Sequence, residues 1–187
     1  MSRIAGVKYL GLAPITYTDG VPTFGEVIEL KQFISFSTTK NYSDATWYSN
    51  DVPEEIFSGA TDIDLNIVVG RLDGKIKAQL AGSEYTEKGV LVEKADDVQN
   101  EFALIVILSQ LPSGTFNQVY YRVKLKVDSV EGSTKTDSIE DKQVTITGKA
   151  LPDHKGRLGV TIDSNDAKAD ATVVTNWKNS VYDPDAV

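Results

Sequence analysis

Hydrophobic and polar positions alternate along most of this chain with the period of a β-strand. In Thr61 to Val69, Ile63, Leu65, Ile67 and Val69 point one way and Asp62, Asp64 and Asn66 the other, the pattern of a half-buried strand with a polar face. Val119, Tyr121, Val123, Leu125 and Val127 predict the inner face of another long strand, with Tyr120, Arg122, Lys124 and Lys126 on its outer face. Phe102 to Leu108 is apolar on both faces and predicts a central strand covered on both sides. Val27 to Leu30 and Phe33 to Thr39 read as one strand, or as two joined by a kink at Lys31-Gln32. Gln143 to Ala150 and Leu158 to Ile162 predict two further strands.

Two segments follow a helical period instead. Leu72, Ile76 and Leu80 recur at i, i+4 and i+8, so a short helix is predicted over about 73–81, with Asp73 as N-cap and Gly82 as its stop. So short a helix must be held by packing on a sheet. Near the C-terminus, Val173, Val174, Trp177 and Val181 suit the buried face of a second turn of helix. The chain is therefore read as a β domain over 1–162 followed by a C-terminal arm over 163–187. Asp163 to Asp170 is the boundary after which the arm could leave the domain body.

The connection from Thr38 to Ser58 is long for a compact domain, and such segments are commonly functional or form hairpins of their own. It carries Tyr42, Trp47, Tyr48 and Phe57. Two readings stand side by side: these aromatics meet another chain, or they tuck back onto their own domain. A second polar connection, Asp128 to Lys142, carries Glu131, Lys135, Asp137, Glu140 and Asp141 and reads as a solvated hairpin tip.

Composition narrows the chemistry. The 187 residues carry 19 Lys and Arg against 27 Asp and Glu, a formal charge of −8. That balance argues against gripping nucleic acid or an anionic membrane surface. Cysteine is absent and His154 is the single histidine, which excludes disulfides, Cys nucleophiles and Cys-type zinc sites. His154 falls in a turn sequence, Pro152 to Gly156. Gly74-Lys75 and Gly148-Lys149 lack the Ser or Thr and the preceding glycine of a phosphate-binding loop. Asp163-Ser164-Asn165-Asp166 lacks the turn glycine and final Glu of a calcium loop and reads as a solvated turn. Glu54-Glu55 and Asp96-Asp97 are sequence neighbours, which on strands point to opposite faces. No enzyme activity, cofactor or metal is expected. No signal peptide is expected from Met1 to Lys8, and the run Phe102 to Leu108 is far short of the roughly 20 residues of a membrane helix.

Four stretches, in matching order and spacing, resemble the major tail proteins, or tail tube proteins, of phages with long non-contractile tails. The first is Ser37-Thr38-Thr39-Lys40 leading to Tyr48-Ser49-Asn50-Asp51-Val52-Pro53-Glu54-Glu55. The second is the alternating strand Thr61 to Val69 running into the helix near Asp73 to Ala81. The third is Tyr120 to Val127 followed by the polar loop with Thr136-Asp137-Ser138-Ile139-Glu140. The fourth is Val144-Thr145-Ile146-Thr147-Gly148-Lys149-Ala150-Leu151. The segment Ser83 to Val98 departs from the family pattern as a long insertion.

The resemblance implies an antiparallel β-sandwich or barrel-like tail-tube fold with one short flanking helix and a long projecting hairpin. It implies a virion structural protein that assembles in the host cytoplasm as hexameric rings stacked into a conduit for DNA. Its partners would be copies of itself and the tape measure, tail terminator and distal tail proteins, with DNA passing unbound. On that basis Tyr42, Trp47, Tyr48, Asp51, Pro53 and Glu54 are candidate contacts to a neighbouring subunit, and Val173 and Trp177 candidate packing residues of the arm. Asp62, Asp64 and Asn66 line either the lumen or an outer solvated face, while Arg122, Lys124 and Lys126 are expected to face elsewhere. The alternative reading is a free-standing β-sandwich that binds carbohydrate or a host surface.

Overall fold

The structure, a computed structural model, describes residues 2–49, 52–129 and 143–185. The side chains of Ala45, 47–49, 52–57, Asp128 and Ser129 lie outside that description, as do Asp51 and the charged connection 130–142. The elements in chain order are β1 (Arg3–Thr18), β2 (Val21–Phe24), β3 (Ile28–Glu29), β4 (Phe33–Ser49), β5 (Val52–Val69), α1 (Gly74–Ala81), β6 (Glu84–Tyr85), β7 (Leu91–Val92), β8 (Glu101–Leu111), β9 (Thr115–Ser129), β10 (Val144–Leu151), β11 (Gly159–Asp163) and α2 (Ala171–Asn176). The fold is mainly β, as the alternation predicts, and its strands pair antiparallel.

One sheet runs in the order β2-β1-β8-β9-β10-β5-β4, with β3 added to β1 and β11 to β9. It curls so that Leu10 and Leu12 of β1 share a core with Ile63, Leu65 and Ile67 of β5 and Leu104 of β8. The sheet therefore wraps its main apolar core. Of the two readings of Val27 to Thr39, the structure has the two strands with a kink: Gln32 adopts φ 56 between β3 and β4.

α1 closes one side of this core, burying Ala78 and Leu80. Asp73 stands at the N-cap, but its side chain makes no capping bond. Gly82 ends the helix at φ 74, and a Cβ there would lie 1.9 Å from the Val98 carbonyl oxygen. The segment 83–98 thus packs against the helix end. Its small β6–β7 pair is tied to α1 by the Lys77–Glu93 ion pair at 2.8 Å.

β8 is buried on both faces, as its unbroken apolar run predicts. Phe102, Leu104 and Val106 enter the main core, while Ile105 and Ile107 enter a second cluster with Val119, Tyr121 and Trp177. The expected single inner face of β9 needs correcting. Phe102 pairs with Val123 but Leu104 with Tyr120, so β9 carries one extra residue between them. A bulge of this kind reverses the alternation. Val119 and Tyr121 therefore face the second cluster, whereas Tyr120, Val123 and Leu125 face the main core.

The C-terminal arm folds back over that second cluster and does not leave the domain. Asp170 caps α2, its Oδ1 accepting from the Thr172 and Val173 amides at 2.7 and 3.4 Å. The turn before it, read as solvated, is pinned: Asn165 Nδ2 donates to Gln110 Oε1 at 2.6 Å, and the Thr115 amide donates to Ser164 Oγ at 2.7 Å. Among the described residues no helix is long and apolar enough to cross a membrane.

Candidate functional site

The segment 38–58 is the outer part of a longer two-stranded ribbon. β4 and β5 pair from Phe33–Val69 to Ser49–Val52, so Thr38 lies opposite Leu65 and Ser58 opposite Asp44. The bounds of a separate 38–58 hairpin are therefore displaced, because the ladder continues through its bulges without a break. One bulge, at Ile34, lets both Phe33 and Phe36 pack on the main core. A second falls between the pairs Asn41–Asp62 and Tyr42–Ala60.

That second bulge divides the ribbon. On the core side of it, Ile63, Leu65, Ile67 and Val69 are buried. Beyond it, the described side chains of Tyr42, Ser43, Asp44, Thr46, Ser58 and Ala60 are all exposed, Tyr42 at 61%. Of the candidate contacts, Tyr42 is thus on the surface. Trp47, Tyr48, Pro53 and Glu54 sit on the paired strands near the tip, where Trp47 lies opposite Glu55 and Tyr48 opposite Pro53. Their side chains, and Asp51, lie outside the described residues. Along its other edge β4 has no strand neighbour among the described residues.

Asp62, Asp64 and Asn66 project from the sheet face opposite the core. Register places Ser37, Asn66, Thr147 and Lys126 in one row across β4, β5, β10 and β9, and Thr39, Asp64, Lys149 and Lys124 in the next. Side chains of paired residues share a face. Lys124 and Lys126, and Arg122 two residues back, therefore share the face of the carboxylates, against the expectation that they turn elsewhere. Their phase is fixed by Val123 and Leu125, which the core holds on the other side.

Carboxylates and cations pair across this face. Lys149 Nζ meets Asp62 at 2.9 Å and Asp64 at 3.0 Å, and Asn41 Nδ2 donates to the same two carboxylates at 2.7 and 2.8 Å. Lys149 and then Asn41 lower the Asp62 pKa; Asn41 and then Lys149 lower that of Asp64. Glu101 is the other organising acid. It accepts from Arg122 Nε and Nη2 at 3.0 and 2.8 Å and from the Tyr17 hydroxyl at 2.6 Å, with Lys124 Nζ at 3.4 Å. The Arg122 bonds, outweighing the penalty of partial burial, hold its pKa down to about 2. Between these rows lies a shallow depression of about 630 Å³ lined by Thr39, Asp64, Asn66, Lys124, Lys126 and Lys149.

Gly148 allows the rows to form. It lies between Leu125 and Leu65, and a Cβ there would stand 2.1 Å from the Lys124 carbonyl oxygen. β10 thus approaches β9 too closely for any side chain at this position.

Trp177 is buried at 2% exposure, its indole N–H donating to the Gln118 carbonyl at 3.3 Å, and Val173 packs beside it. Glu101, Lys149 and Arg157 organise these contacts without any local sequence signal. Their partners lie 21, 87 and 26 residues away, as in Arg122–Glu101, Lys149–Asp62 and Arg157–Asp183. A lone charge on a strand gives no signal of so distant a partner. Among the described residues no group of three or more His, Asp or Glu is arranged to hold a metal ion. His154 is exposed in its turn. No family model matches the chain, and no curated protein matches it either.

Proposed function

We propose that this chain is a structural subunit of a phage tail tube, a non-enzymatic protein that self-assembles into stacked rings around a DNA conduit in the virion. The observation that carries the reading is the outer half of the β4–β5 ribbon. It keeps its strand pairing beyond the bulge at Asn41–Asp62, while its described side chains have no core beneath them. Two isolated strands are marginal in water, so a ribbon of this length calls for a further surface to lie on. The next ring supplies it, and the resemblance of the Tyr48 to Glu55 stretch to tail tube proteins agrees. The open edge of β4 is closed by a neighbour in the same ring, which removes an aggregation-prone edge.

The sheet face bearing Asp62, Asp64 and Asn66 then lines the lumen. Its conduct toward DNA differs from that of a uniformly acidic wall. Cations are present, but Arg122, Lys124 and Lys149 are engaged by Glu101, Asp62 and Asp64. A cation already paired must give up its carboxylate to neutralise a phosphate and so adds little to the hold on DNA. Tape measure, terminator and distal tail proteins are the further partners of this reading.

Negative-stain electron microscopy of the purified full chain tests it. Rings or tubes of constant diameter are expected. Monomers that stay dispersed at high concentration and bind glycans would replace this reading with the β-sandwich binding module.

A further inference from the structure

The C-terminal arm is fastened to the sheet by contacts unlike those of the main core. α2 has no buried residue, and among the arm's described residues Trp177 alone is deeply buried. Tyr182 stacks on Trp177 at 5.4 Å and 22°, and its carbonyl accepts the Tyr121 hydroxyl at 2.9 Å. Beyond it the chain closes onto Arg157, whose Nη1 meets Asp183 at 2.9 Å and Asp185 at 3.0 Å. Asp185 also meets Lys155 Nζ at 2.6 Å. The guanidinium itself lies 4.6 Å from the Tyr121 ring centre. Asp185 is half exposed, so dissolved salt reaches this clasp.

A second observation is independent of the clasp. Asn117 is 1% exposed, and among the described residues neither its Nδ2 nor its Oδ1 finds a hydrogen-bond partner. It stands in the row Tyr9–Ile107–Asn117–Ile162 across β1, β8, β9 and β11. The arm crosses this face, for the Tyr9 hydroxyl donates to the Lys178 carbonyl at 3.4 Å, and Ile107 and Ile162 pack in the cluster that Trp177 completes. Burying an amide without partners opposes closure.

We propose that the C-terminal arm is a releasable strap. It opens as a unit from the pinned turn at Asp163–Asp166 while the main core stays folded. Opening breaks the Arg157 clasp, frees Trp177, hydrates Asn117 and bares the strip of Ile105, Ile107, Val119 and Tyr121. One part of the balance is ionic and one is an orphaned amide, so ionic strength and residue 117 shift it in opposite directions. The strap is a property of the single chain and stands whether or not the chain forms tubes.

The test uses the full chain carrying Trp47→Phe, which leaves Trp177 as its sole tryptophan. Hydrogen exchange of amides 171–185 and acrylamide quenching of Trp177 are followed from about 0.02 M to about 1 M NaCl, where the Debye length falls to about 3 Å. Exchange in the arm is expected to rise about threefold or more, with amides of β8 and β10 unchanged. Arg157→Gln should reproduce the high-salt value at low salt. Asn117→Leu should slow arm opening by about fivefold or more. Arm amides that exchange only together with those of β8, at any salt, would overturn the proposal. So would an Asn117→Leu arm that opens as fast as the parent or faster. Should Arg157→Gln fail to fold, the salt series on the parent decides.

Discussion

The two halves of the β4–β5 ribbon share one hydrogen-bonded ladder and differ in everything attached to it. Inside the bulge at Asn41–Asp62, Ile63, Leu65, Ile67 and Val69 fill the core while Asp62 and Asp64 are fastened to Lys149 on the opposite face. Outside it, the described side chains are exposed on both faces. Pairing is thus common to both halves, and burial belongs to one. The comparison teaches that strand length here is not set by the core: the ribbon runs on past the point where its own domain rewards it.

The largest effect is expected in the inner half. Ile67→Ala, at a fully buried site, should destabilise the fold by about 2–5 kcal/mol in urea denaturation. A loss under about 1 kcal/mol would place the ribbon's stability in its ladder and erase the distinction. Gly148→Val comes next. Its side chain would strike the Lys124 carbonyl and push β10 from β9, at a cost of about 1–3 kcal/mol or more by the same measurement.

Acid should loosen the charged sheet face, where Asp62 and Asp64 of the inner half meet Lys149 of β10 and Glu101 of β8 meets Arg122 of β9. Glu101 titrates near 2 in the folded chain against an ordinary value of 4.5, and Asp62 and Asp64 are also shifted down. Groups depressed on folding stabilise above their unfolded pKa, and that contribution fades as pH falls from about 4.5 towards 2. The melting temperature should drop across this window, and Glu101→Gln should flatten the slope. The smallest effect belongs to the outer half: Tyr42→Ser should leave unfolding within about 0.5 kcal/mol of the parent.

Much of this architecture can be read from period alone. The alternation of Thr61 to Val69 and the two-faced run Phe102 to Leu108 both translate directly into burial, because a strand's side chains have nowhere else to point. α1 is legible in Leu72, Ile76 and Leu80 for the same reason. The phase of β9 is not, since a bulge leaves no mark in composition. Reading Val119 to Val127 as one continuous face misplaces Tyr120 in the solvent and Tyr121 in the main core. The same limit hides the site. Once Val123 and Leu125 are buried, Lys124 must join the carboxylate face, but only pairing through β10 brings it beside Lys149 and Asp64. The clasp of Arg157 on Asp183 and Asp185 depends on the path of the whole arm, which no local pattern encodes.

The most direct measurement replaces Tyr42–Ala60 with a two-residue Asn-Gly turn joining Asn41 to Thr61, a sequence suited to a tight hairpin. Sedimentation and negative-stain microscopy of this variant are compared with the parent. If the outer ribbon exists to meet the next ring, the variant unfolds at the parent's denaturant midpoint and forms no tubes at concentrations where the parent does. Tubes of the parent's length from the shortened chain would contradict the account.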